Sequence, residues 1–213
     1  FMSILTKSQI LARVSDGSIS FMPKLDRFQV QAHSIDLRLG YTFLVPKQAI
    51  ITKAGREAVQ VVDSLKNGYT QAFFDVIELE EGQYFELLPG EHVTVSSLES
   101  IKVPQEIMAV LYPRSSVSRR GLAVDLTGII DAGYEGQLMI PVRNNTSSQV
   151  IRVYPGERFC QVVFEELGDT AEKHISRYHK RDIAEGAAKD KTKELALISK
   201  GKIRELKSKY SIA

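Results

Sequence analysis

The chain of 213 residues carries 28 Lys/Arg against 26 Asp/Glu, a formal net charge of +2, with 43% hydrophobic and 25% charged residues. These proportions describe a folded globular chain with one well-filled core; they exclude a disordered polymer, and the length is short for two full-sized domains. The charge is uneven: residues 187–213 hold eight Lys/Arg and three Asp/Glu, leaving 20 basic and 23 acidic groups before them, which argues against nucleic-acid binding by the main body.

At the start, "TKSQILARVSDG" pairs Thr6 with Gln9 three residues on, a capping-box spacing, and runs through Ile10, Leu11 and Val14 to Gly17, predicting a short N-terminal helix. From residue 18 to 167 the texture changes to short runs rich in Val, Ile, Phe and Tyr, with turn residues every ten or so positions. "GYTFLVP", "AFFDVIEL", "HVTVSSLESIKVP", "IMAVLYP", "QLMIPVRN" and "FCQVVFEEL" predict an all-β sandwich or barrel. Two "PGE" triplets, at residues 89–91 and 155–157, predict similar turns before apolar strands. A β domain over residues 1–182 and a lysine-rich helical tail over 183–213 follow. In the tail, Leu195, Ile198, Ile203, Leu206 and Tyr210 stand near helical spacing and Gly201 weakens the pattern. Either a packed amphipathic helix or a basic arm that attracts phosphate fits it.

The apolar runs are only a few residues long, and the first residues lack a basic flank before a long apolar stretch, so neither a leader nor a membrane span is expected. The single cysteine, Cys160 in "RFCQVVF", is expected to be a buried, inert thiol and points to a reducing cytoplasm. The histidines form no HExxH, one cysteine cannot complete the PCxxC half of a zinc deaminase site, and neither GxxxxGK[ST] nor GxGxxG occurs.

Two segments concentrate chemistry. "YPRSSVSRRGL" (residues 112–122) offers Arg114, Arg119 and Arg120 for charge-assisted bonds to phosphate oxygens, with Ser115, Ser116 and Ser118 as further donors. A serine-rich loop with solvated arginines is the alternative. "GIIDAGYEG" ends an apolar strand on Asp131, a carboxylate placed to orient a water or hydroxyl, and brackets Tyr134 between Gly133 and Gly136, so that a ring face and close backbone approach are available to a sugar. A plain turn is the alternative there.

Taken together, "HSIDLRLG", "PRSSVSRRGL", "GIIDAGYEG" and "PGERFCQVVF" resemble, in order and spacing, the trimeric dUTPase and dCTP deaminase superfamily, and the N-terminal "ILARVSDGSISFMP" looks like its deaminase branch. The resemblance covers residues 4–182. It implies a mainly β, distorted barrel or jelly-roll subunit, a homotrimer with active sites between subunits, and a deoxynucleoside triphosphate ligand. It also implies that Arg114, Ser115 and Ser116 bind phosphates with Gln161 nearby, and that Asp36 orders the metal and water region indirectly; Arg119, from the residues of its segment, is added as a substrate-binding residue. Asp131 would contact the sugar 3′ hydroxyl and position the attacking water, and Tyr134 would pack on the deoxyribose.

The resemblance places Pro141 where dCTP deaminases carry their catalytic glutamate. Proline has no group to activate water or to carry its proton to a leaving amine. Glu135 precedes the strand and Arg143 accepts no proton at neutral pH, so neither replaces it. A proline within "QLMIPVRN" also predicts an edge or a bulge. The expected activity is therefore Mg²⁺-dependent hydrolysis of dUTP to dUMP and pyrophosphate, with Asp131 as the catalytic residue. The alternatives are a dCTP deaminase with a relocated base, yielding dUTP or dUMP, and a deoxynucleotide-binding module without turnover. The segment between Gly121 and Asp131 is about one residue shorter than the family pattern, which leaves the base open. The glycine-rich arm of trimeric dUTPases has no counterpart in these residues, and Lys180, Arg181 or a tail lysine would have to serve in a lid.

Overall fold

The computed structural model describes residues 3–47, 49–58, 74–125, 128–170 and 193–211. Lys180 and Arg181 lie outside them. Two compact units are formed, one by Phe1–Pro46 with Asp75–Ile183 and the other by Lys47–Phe74 with Ala184–Ala213.

In the first unit, helix α1 (Lys7–Ser15) begins as its capping residues predict: the Thr6 N–H donates to Gln9 Oε1 at 2.8 Å, and Gly17 leaves the helix at φ 80°. The strands are β1 (Ser20–Met22), β2 (Ile35–Pro46), then, after β3 and β4 of the second unit (Ala49–Thr52 and Gly55–Ala58), β5 (Phe74–Glu78), β6 (Phe85–Leu87), β7 (His92–Lys102) and β8 (Ile107–Pro113). Helix α2 (Ser115–Arg119) precedes β9 (Leu122–Val124), β10 (Ile129–Ile130), β11 (Glu135–Asn144), β12 (Ile151–Val153) and β13 (Arg158–Glu166). An antiparallel sheet runs β10-β8-β13-β2-β7-β11-β9, with β1 on β7 and β5 on β2, while β12 pairs with β6. The chain is mainly β, as expected, and its sheet curls into a distorted half-barrel.

The core lies inside that curl, where Phe43, Phe159 and Phe164 are the largest fully buried side chains. Alternation in β11 sends Leu138, Ile140 and Val142 inward and leaves Met139, Pro141 and Arg143 on the other face. Both PGE triplets form the same turn: the Glu91 N–H donates to Leu88 O at 2.9 Å and Glu157 N–H to Tyr154 O at 3.0 Å, with Gly90 at φ 76° and Gly156 at φ 86°. Cys160 is buried, and burial holds its thiol well above the usual range, as an inert core cysteine requires.

In the second unit, β3 and β4 form a hairpin, and helices α3 (Lys193–Ile198) and α4 (Ile203–Lys209) are separated at Gly201, whose φ is 68°. The Lys202 N–H reaches back to Leu197 O at 2.9 Å, so the predicted weak point is where α3 ends. No helix among the described residues is long and apolar enough to cross a membrane.

The register between β11 and β7 shifts between Gln137 and Met139. The buried Ser97 hydroxyl fills the irregularity, accepting the Leu138 N–H at 2.9 Å and donating to Glu99 O at 2.7 Å. Ser97→Ala strands that buried N–H and is expected to lower unfolding free energy by about 1–3 kcal/mol, read from chemical denaturation, with the m-value unchanged.

Candidate active site

Strand β8 delivers Arg114 to the entrance of α2, where the Arg114 N–H donates to Phe159 O at 3.2 Å and its Nη1 to Arg158 O at 3.1 Å. Arg114 Nε lies 3.1 Å from Asp36 Oδ2, and Arg158 Nη1 and Gln31 Nε2 approach the same oxygen at 3.1 and 3.2 Å. Asp36 is only 1% exposed. Burial pushes its carboxyl upward, while the guanidiniums of Arg114 and Arg158 pull it back toward the charged form. Asp36 therefore acts by holding an arginine in place.

Gln161 stands opposite Asp36 between β13 and β2, and its Oε1 is 3.5 Å from Ser34 Oγ. Ser115 and Ser116 occupy the exposed first turn of α2, and Arg119 is exposed in its last turn. Arg120 turns instead to Glu157 at 2.7 Å, tying α2 to the second PGE turn. The structure thus brings Asp36, Arg114, Ser115, Ser116 and Gln161 to one end of the β2-β13-β8 ladder, with donors suited to a polyphosphate.

The same ladder continues into a buried network that the sequence did not disclose. Glu99, 1% exposed, accepts from Gln29 Nε2 at 2.7 Å and from the Arg38 N–H at 2.9 Å; Gln29 Nε2 also donates to Asp36 O at 2.9 Å. Arg38 closes on Asp26 at 2.7 Å. Burial raises the Glu99 carboxyl above the usual range. Glu99 stands in no quoted motif, whereas Arg38 lies in "HSIDLRLG" and Arg158 in "PGERFCQVVF", with no signal in either segment that they meet these carboxylates.

Asp131 and Tyr134 stand elsewhere. Ile130 ends β10 opposite Ala109 near the start of β8, whereas Arg114 follows its far end, so Asp131 and the arginine are separated along the strand by roughly 20 Å. Asp131 is exposed, and its carbonyl accepts the Tyr134 N–H at 3.1 Å. The open ring face expected of Tyr134 is corrected by its 6% exposure: the ring packs into the core, its hydroxyl donates to Gln137 O at 2.6 Å, and burial pushes the phenol up to about 12. Gly133, at φ 78°, makes its close approach to the Gln105 side chain, which a Cβ would meet at 2.1 Å.

Pro141 is neither at the outer edge of the sheet nor at the bulge. It pairs with Thr94 of β7, while on its other side β9 ends opposite Val142. The Asp125 N–H just past β9 still donates to Pro141 O at 2.8 Å, but the missing N–H of Pro141 returns no bond, and the ladder goes no further.

The family model described as dCTP deaminase-like matches residues 4–167. A protein of Methanosphaera stadtmanae named "dCTP deaminase, dUMP-forming" is 34% identical over 173 residues, covering 81% of this chain and 83% of that one. One of Natronomonas pharaonis named "dCTP deaminase" is 33% identical over 172 residues, covering 80% and 84%. The crystal structure of 2'-deoxycytidine 5'-triphosphate deaminase from Agrobacterium tumefaciens matches with a TM-score of 0.59 and 26% identity over 78% of this chain; the present chain spans about half, 49%, of that chain's length. These relatives are named as enzymes that act on dCTP, which overturns the expectation of a dUTP diphosphatase drawn from Pro141. The protein belongs to the dCTP deaminase-like family.

Proposed function

We propose that the protein deaminates dCTP, replacing the 4-amino group of cytosine with oxygen and releasing ammonia, and that, as with its dUMP-forming relatives, the product is carried on to dUMP and pyrophosphate. The observation that carries this reading is identity of 31–36% with proteins bearing those names. A second reading, a deoxynucleotide-binding module without turnover, is favoured by Pro141 alone.

The Asp36-supported arginine, the two α2 serines and Gln161 are assigned to the triphosphate, Arg119 to its flank, and Asp131 to the sugar hydroxyl. The separation of Asp131 from Arg114 along β8 supports sites shared between copies of the chain, in a homotrimer. Among the described residues no group of three or more His, Cys, Asp or Glu is placed to hold a metal ion. The donor set nevertheless fits Mg²⁺ carried on the substrate, because that ion is commonly held by phosphate oxygens and few protein ligands. Mg²⁺ bound there would neutralise triphosphate charge during pyrophosphate release. Asp36, with its Oδ2 shared among Arg114, Arg158 and Gln31, acts on that region through Arg114. The buried free thiol of Cys160 supports a reducing, cytoplasmic setting.

Purified protein incubated with dCTP, dUTP, dTTP and UTP, with and without Mg²⁺, is expected to release ammonia from dCTP alone, with dUMP among the products by chromatography. Nucleotide bound without any product would leave the binding-module reading in its place. Asp36→Asn removes charge from a buried cluster and is expected to weaken dCTP binding by about tenfold or more in titration calorimetry. Unchanged affinity would remove Asp36 from the support of the phosphate site.

A further inference from the structure

A deaminase needs a carboxylate to take a proton from water and deliver it to the leaving amine, and position 141 supplies none. The neighbouring strands show what stands beside it. Toward β7, Pro141 faces Thr94. Toward β9, the ladder runs through Asn144 with Leu122, Arg143 with Ala123 and Val142 with Val124. It then continues for one bond past the end of β9, where the Asp125 N–H donates to Pro141 O at 2.8 Å. Asp125 is therefore the residue directly across from Pro141.

Residues directly opposite in an antiparallel pair project from the same face. Burial agrees: Val124 and Val142 are buried, whereas Asp125 and Arg143 are exposed and Pro141 is half-buried. Directly opposed residues hold their Cβ atoms about 4.5–5.5 Å apart, within the reach by which an aspartate can replace a longer carboxylate from the adjacent strand. The proline contributes in turn. Without an N–H it cannot return the second bond of the pair to Asp125 O, so Asp125 is tethered to β11 through one bond.

Other carboxylates are less suitable. Asp36 and Glu99 are buried and engaged by arginine and glutamine donors. Asp131 follows β10, and Glu135 begins β11, roughly 20 Å along the strand from Pro141.

We propose that Asp125 is the general base of dCTP deamination, standing in from β9's end for the carboxylate absent at Pro141; this rests on the deaminase reading. Water forms the new bond from its oxygen to C4 of cytosine, and its first proton passes through Asp125 to N3. The second proton passes from the resulting C4 hydroxyl through Asp125 to the exocyclic nitrogen. The C4–N bond then breaks, ammonia leaves, and a C4 carbonyl with a proton on N3 remains. No oxidant or further reactant is required.

The test measures ammonia release from dCTP across pH for the wild-type chain, Asp125→Asn, Asp125→Glu and the double variant Asp125→Asn/Pro141→Glu, with dCTP affinity and Tm recorded for each. Asp125→Asn is expected to lower kcat by about 10²-fold or more while KM stays within about threefold. Asp125→Glu should retain a carboxylate-dependent acid limb in the pH profile, which Asp125→Asn loses. The double variant should recover at least tenfold in kcat over Asp125→Asn, because its glutamate occupies the facing position. A wild-type chain that deaminates dCTP with Asp125→Asn unimpaired in kcat would overturn the assignment and leave the deaminase reading standing. So would a loss confined to KM or Tm. No ammonia from the wild-type chain would overturn both.

Discussion

The shared carboxylate oxygen of Asp36 is the contact on which the arginine-rich end of the β2-β13-β8 ladder depends. Three donors from three separate stretches of chain, Arg114, Arg158 and Gln31, converge on it at 3.1–3.2 Å, in a place almost closed to water. A buried charge is tolerable only where such partners surround it, and removing one partner leaves the remainder badly paired. The cluster thus makes the position of α2, which follows Arg114, a consequence of the pairing of β2, β13 and β8 rather than of its own few residues. Glu99 and Gln29 extend the same requirement inward, since Gln29 bonds both the Glu99 carboxylate and the Asp36 carbonyl.

A second constraint is negative. Pro141 lacks the N–H that would continue the β9 ladder, and the strand pairing ends where that donor would be needed. One residue therefore sets the local connectivity of the sheet: the chain opposite Pro141 is held by the single bond from the Asp125 N–H to Pro141 O. Pro141 does not act as an isolated substitution. In the folded chain Asp125 lies against it, and the kinship of the whole domain is with proteins named dCTP deaminases.

Much of the architecture was legible in the residues. The Thr6 and Gln9 cap, the alternation of Leu138, Ile140 and Val142, the paired PGE turns and the break at Gly201 each rest on interactions within a few positions of chain, and each is present. The cluster around Asp36 was half legible: Arg114 and its serines stood in one segment, while the pairing of Arg158 with Asp36 joins two motifs far apart in the chain. Tyr134 was misjudged in exposure, because a ring between two glycines reads the same whether its face meets solvent or core. Its hydroxyl bond to Gln137 O and its burial are set by the strands packed around it.

The sequence by itself determined the N-terminal helix, the mainly β character and the helical tail, because caps, turns and period-two burial are short-range effects of backbone conformation and side-chain polarity. It also determined the family, through four motifs in order along the chain, and the family model matches residues 4–167. Tertiary structure alone decided which residues meet across the sheet: Asp36 with Arg158, separated along the chain, and Asp125 with Pro141 across the end of a ladder. Register is the physical reason, since each pairing is set by hydrogen bonds and packing along the whole strand, and a shift by one residue would turn either carboxylate to the opposite face.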